Sequence, residues 1–132
     1  MRKISKAFIT IPSQRLAHQT VPEVKINSIK NESFKIQNTT IIPIKAQHYM
    51  MPVFGFRINN FIYLTDVSKV PKKEKEKMKG ADLIVLDALR KNKHISHFTL
   101  DQAVELLAEL NPKQALLTHV SHFMGLHDEV NK

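Results

Sequence analysis

The chain contains no cysteine. Disulfides, thiolate metal sites and cysteine nucleophiles are excluded together, and such a composition fits a reducing, cytoplasmic setting. Long apolar runs are also missing. Lys, Asn or Asp breaks every apolar stretch well before the roughly 20 residues that a membrane-spanning helix needs. No membrane contact is expected. Arg2 and Lys3 are followed by neither a long apolar core nor a small-residue cleavage site, so Met1–Thr10 does not read as a signal peptide. Acidic residues are few, 12 against 20 Lys plus Arg, which leaves a net charge of +8. That balance favours anionic partners such as phosphates, nucleic acid or an acidic surface, although a lysine-rich proteome gives the same number. The 132 residues suffice for one small domain with a real core, and not for two.

The stretch up to residue 23 has Pro12, Pro22 and no clear period, and reads as an irregular arm before a domain over 24–132. Val24–Ile29 and Ser33–Ile36 alternate apolar and polar residues, the period of half-buried strands. Thr40–Ile44 is β-branched apart from Pro43, which demotes it to an edge strand or a bulge. Val53–Ile58 and Phe61–Leu64 form a hairpin about Asn59-Asn60. Lys72–Lys79 reads as a charged short helix behind Pro71, closed by Gly80. Leu83–Leu86 and Ala115–Leu117 read as strands buried on both faces. Between them Thr99–Leu110 is an amphipathic helix, with Thr99 and Gln102 as a capping box and Leu100, Val104, Leu107 and Ala108 on its apolar face, Ala103 and Leu106 beside them. Strand, helix, strand makes a βαβ unit, so a mixed α/β fold with some parallel pairing is expected.

Five of the seven histidines lie between His94 and His127. Asp66 and His119 each follow an apolar strand, His94 and His97 precede a helix, and His48 follows the Thr40–Ile44 strand. In open α/β folds the loops at the carboxyl ends of strands form the ligand crevice. Imidazole and carboxylate together suit zinc, manganese or iron(II), and a histidine beside such ions can move a proton. Each residue also has an ordinary reading: Asp66 as a turn or cap residue, His94 as loop, His18 and His127 as surface histidines. The spacing His119-x-x-His122 is too short for a helical zinc pair. Spacing alone leaves both readings open.

Four runs taken together, Gly55-Phe56-Arg57-Ile58, Tyr63-Leu64-Thr65-Asp66, His94-Ile95-Ser96-His97-Phe98 and Leu117-Thr118-His119-Val120-Ser121-His122, resemble the metallo-β-lactamase superfamily. The similarity spans residues 24 to 130 and is strongest to the PhnP-like phosphodiesterase branch, more distant to RNase Z. The resemblance implies an αββα sandwich and phosphodiester hydrolysis by a metal-activated hydroxide. It implies that His48, Asp66 and His119 are metal ligands, with Asp66 bridging two zinc or manganese ions. His97 would contact the phosphate and protonate the leaving oxygen. His122 and His94 would support the site from behind, and Thr65 and Thr118 would be structural.

One part of the family pattern is missing. The signature His-x-His-x-Asp-His, which supplies about four ligands upstream of the His48 position, occurs nowhere in the sequence; His18 stands there alone. The family also continues past Val130 into a further strand pair. The expectation is therefore half of a metallo-β-lactamase αββα sandwich, a mixed sheet with helices on one face. Metal binding would be weak or absent and the chain inactive by itself. A separate N-terminal half would supply the missing ligands, or the chain would associate with itself. The alternative is a non-catalytic module that binds RNA or another polyanion through Lys69–Lys79. No aromatic stacking platform accompanies those lysines, and Glu74 and Glu76 among them suit a merely solvated helix face.

Overall fold

The structure is a computed structural model that describes residues 7–10 and 25–125. The chain divides into two compact units, Met1–Lys30 and Asn31–Lys132. In the first, β1 (Ala7–Thr10) pairs antiparallel with β2 (Lys25–Ser28), Ala7 opposite Ser28. The strand expected over Val24–Ile29 is present. Its partner, however, lies inside residues 1–23, which were expected to be irregular throughout. Phe8, Ile9 and Thr10 are good strand formers, and the prolines fall outside their ladder.

The second unit is a six-stranded mixed sheet in the order β3-β4-β5-β6-β7-β8. Its strands are β3 (Phe34–Ile36), β4 (Thr39–His48), β5 (Met51–Ile58), β6 (Phe61–Leu64), β7 (Leu83–Asp87) and β8 (Gln114–Thr118). Two-residue turns join the first four: Gln37-Asn38, Tyr49-Met50 and Asn59-Asn60. The first residue of each turn has positive φ, at 52°, 56° and 53°, as tight hairpins between twisted strands require. From β6 onward pairing is parallel, with α2 (Leu100–Leu110) connecting β7 to β8.

Pro43 explains the shape of β4. The strand continues to His48, well beyond the expected end at Ile44, and Pro43 lies opposite Phe56 of β5. β3 covers β4 only as far as Ile41. Between that point and Gln47, which bridges to Lys69, β4 has a free edge, and Pro43 sits where its missing N–H would have pointed outward. Side chains finish the edge in place of a strand. Glu74, on α1 (Lys72–Lys75), accepts the Lys45 N–H at 3.0 Å, and Lys77 Nζ donates to the Pro43 carbonyl at 2.9 Å. Burial would raise the Glu74 pKa, but hydrogen bonds from Lys77, the Lys45 N–H and Asn31 outweigh it and hold the carboxyl below its ordinary value. The charged segment is thus no uniformly solvated helix face. It is one α-turn and a 3-10 turn (Glu76–Met78), with Glu74 and Met78 buried and Gly80 ending it at φ 69°.

One face of the sheet carries the core. Ile44, Ile62, Leu64, Ile84 and Leu86 are fully buried there with Met78, Ala103, Leu106 and Phe98. Each large aliphatic side chain so buried stabilises the fold by about 1.5–3 kcal/mol. Helix α2 has the expected capping box, Thr99 with Gln102, and ends at Asn111 in a left-handed conformation. Its buried face overlaps the expected one, since Leu100 and Leu107 pack against the core, but is centred on Ala103 and Leu106. Ala103, Leu106 and Leu110 are buried whereas Val104 is 52% exposed, because the helix docks one step round from the stripe that leucine spacing suggests. β7 alternates rather than burying both faces, and β8 is an exposed edge strand. On the opposite sheet face Tyr63 is 44% and Leu116 48% exposed. No helix among the described residues is long and apolar enough to cross a membrane.

Gly55 lies where β5 crosses the core. A Cβ there would collide with the Leu64 side chain and stand 2.9 Å from the Tyr63 carbonyl oxygen. Gly55→Ala is expected to lower stability by about 1–3 kcal/mol, read as a drop in the urea midpoint at unchanged slope.

Candidate metal centre

Strand direction assembles the site. β5 is antiparallel to both neighbours, and β6, β7 and β8 are mutually parallel. β4, β6, β7 and β8 therefore all end at the same edge of the sheet. His48 is the last residue of β4, Asp66 follows β6 by two residues, Asp87 is the last residue of β7, and His119 comes directly after β8. The loop from β7 to α2 adds His94 and His97.

Backbone hydrogen bonds hold these loops to one another. The Phe98 N–H donates to the Val67 carbonyl at 2.8 Å, Ala88 to Thr118 at 3.0 Å and Ser121 to Leu89 at 2.9 Å. Asp66 and His119 both adopt left-handed backbone, φ 57° and 58°. Such conformations cost non-glycine residues of order 1–3 kcal/mol and concentrate at functional sites. Here each turns its side chain inward at the point where its strand stops.

The side chains meet. Donor atoms of His48, Asp66 and His97 all lie within 4.8 Å of one another. His119 Nε2 is 3.7 Å from Asp66 Oδ1. The His97 ring stands 4.7 Å from His48, edge-on, and 4.7 Å from His119, stacked at 18°. His94 is 5.1 Å away, its Nδ1 facing Ser96 Oγ at 3.2 Å. His122 sits apart from the imidazole stack, its ring against Phe123 at 3.9 Å. The two other histidines, His18 and His127, lie outside the described residues.

Sequence reasoning missed Asp87. It is fully buried, accepts the Val67 N–H at 3.3 Å, and its Oδ2 lies 3.3 Å from His97 Nδ1. Its position, an acid closing an apolar strand just as Asp66 follows Leu64-Thr65, was the available signal. Burial pushes the Asp87 carboxyl up from 3.8 to about 6, against the pull of the Val67 N–H. Burial also lowers His97, helped by repulsion from His119 and His48, and lowers the more open His94, with Arg90 contributing.

The scaffold has known counterparts. The Beta-lactamase superfamily domain model matches residues 5–120. The chain belongs to that superfamily. Among solved structures it is similar to a diphosphatase of the PhnP family, at 30% identity and TM-score 0.76 over 80% of this chain and 42% of that one. It shares its fold with the metallo-β-lactamase fold protein YhfI of Bacillus subtilis, at 21% identity and TM-score 0.66 over 80% of this chain and 46% of that one. Human tRNase Z, short form, shares the fold at 23% identity and TM-score 0.58, over 69% and 41%. A curated relative, the octanoyltransferase of Porphyromonas gingivalis, is 30% identical over 110 residues, covering 82% of this chain and 22% of the relative. This superfamily member thus spans less than half the length of the structures it matches, and lies on their PhnP-like side.

Members of the superfamily generally bind divalent metals, and the donors present fit one. Two imidazoles and a carboxylate are a borderline-hard set suited to zinc or manganese. Among the described residues the buried side-chain polar atoms without a hydrogen-bond partner are His48 Nδ1 and Ser121 Oγ. His48 belongs to the donor cluster, and Ser121 lies two residues past His119. Orphaned buried polar atoms call for a water or an ion.

Folded Asp87 holds its proton more tightly than an unfolded aspartate. Its stabilising contribution is therefore complete below 3.8 and is lost as pH rises through about 6. In metal-free buffer the wild type should lose stability relative to Asp87→Asn across that window. Urea midpoints measured at stepped pH check this, and parallel curves for the two proteins would refute it.

Proposed function

We propose that this chain contributes one side of a metal-dependent phosphodiester hydrolase site. The convergence of His48, Asp66, His97 and His119 on one sheet edge carries the reading. A divalent ion in such a site supplies positive charge for a phosphoryl oxygen and makes water acidic enough to attack near neutral pH. The chain's own residues do the rest. His48, Asp66 and His119 would hold the zinc or manganese. His97 faces the phosphate, and Asp87 fixes its ring. Three or four donors fall short of what two ions require. The remaining donors then come from a polypeptide bearing the His-x-His-x-Asp-His pattern, which this sequence does not contain. The exposed Tyr63 and Leu116 on the open sheet face support a partner there.

A polyanion-binding module is the weaker reading. Three of the six lysines that suggested it are engaged in ion pairs: Lys75 with Glu109, Lys77 with Glu74 and Lys79 with Glu76.

The test uses bis(p-nitrophenyl) phosphate with zinc or manganese, with and without a donor-bearing half supplied in trans. The chain alone should stay near background, and the mixture should hydrolyse the ester. Asp66→Asn should cut that rate by about 100-fold or more. Full activity of the isolated chain would overturn the need for a partner. An inactive mixture that elutes as a complex would overturn the hydrolase assignment, whereas elution of the chain as a self-associated species would replace the in-trans partner by a second copy.

A further inference from the structure

We propose that the first ion this chain binds from its own donors is held by His48, Asp66 and His97, with Asp87 as the residue that makes His97 a ligand. The inference rests on the metal-site reading above but assigns His97 a different role while the other donors are missing.

Proximity singles out these three. Their donor atoms lie mutually within 4.8 Å, whereas His119, with Nε2 3.7 Å from Asp66 Oδ1 and its ring stacked on His97, falls outside that mutually close set. His48 and His97 are edge-to-face neighbours, their ring centroids 4.7 Å apart. The orphaned Nδ1 of His48 lacks any protein partner.

Asp87 decides which nitrogen of His97 is available. Its carboxylate Oδ2 stands 3.3 Å from His97 Nδ1. A carboxylate only accepts, so Nδ1 carries the proton and donates it. The lone pair of the neutral ring is then on Nε2. Carboxylate, imidazole and ion in series is how proteins commonly fix the tautomer and raise the basicity of a metal-binding histidine. An imidazole in this state is a ligand or a base, and has no second proton to give to a leaving group.

The Asp87→Asn change tests the tautomer directly. The amide that it introduces donates to His97 Nδ1 instead of accepting from it. The proton moves to Nε2 and blocks that lone pair, with little change of shape. Zinc titrated into the metal-free chain should bind once per chain by calorimetry. Nitrogen NMR of the histidine-labelled protein should show His97 with Nδ1 protonated and Nε2 metal-bound. Asp87→Asn should weaken zinc by about 10–100-fold, and His97→Ala by a comparable or larger factor.

Circular dichroism shows whether each variant folds, and if neither does, the wild-type spectrum decides alone. Zinc bound at full stoichiometry with His97 Nε2 free would overturn the proposal, as would loss of zinc on His119→Ala with none on His97→Ala. Failure of the unmodified chain to bind zinc would also overturn it. The hydrolase reading would survive any of these results so long as the in-trans mixture turns over substrate, and would fall without it even if His97 proves to be a ligand.

Discussion

Parallel alignment of four strand ends is the constraint on which the rest depends. A side chain at the end of β4 and others at the ends of β6, β7 and β8 are far apart in sequence, yet strand spacing brings them to one edge. This works only because β5 reverses direction between β4 and β6. The free flank of β4 then has to be finished by side chains, and Glu74 and Lys77 do so without adding a strand. The charged segment after Pro71 therefore supports the same strand that ends in His48.

The electrostatic character of the edge follows from that crowding. Four imidazoles and two carboxylates share a small space, and mutual repulsion among the rings disfavours protonating His97. One carboxylate, Asp66, stays half exposed, whereas the other is buried completely. Identical groups thus take separate tasks according to their surroundings. The exposed one can meet an ion. The buried one, kept from solvent, acts through its hydrogen bond to a ring.

Much of this was accessible from residue order. The hairpin at Asn59-Asn60, the capping box at Thr99 and the parallel unit around α2 rest on local rules, and local rules carried them. Strand ends identified Asp66 and His119 as neighbours for the same reason. Long-range packing did not reveal itself so easily. Val104 matches a leucine-spaced stripe but points to solvent, since the docking angle of a helix depends on its partner. β8 has the composition of a buried strand, and its place at the sheet margin is set by topology. Glu74 looked like one more solvated charge, because nothing in its neighbours announces a strand edge 29 residues earlier. Asp87 was passed over although it closes an apolar strand, because nothing in its neighbours along the chain shows that the fold sets His97 beside it.

The left-handed turns at Asp66 and His119 restrict how the chemistry of this edge can be altered. Asn and Asp tolerate that backbone region best after Gly, and His is also enriched there, whereas β-branched residues are outliers. Replacing either position by Val, Ile or Thr would unseat the main chain as well as remove a donor. Substitutions that keep the turn and change only the donor are therefore few. That narrowness ties the ligand set to loop conformation: a lineage could exchange these donors among Asp, Asn and His, but for little else without rebuilding the ends of β6 and β8 themselves.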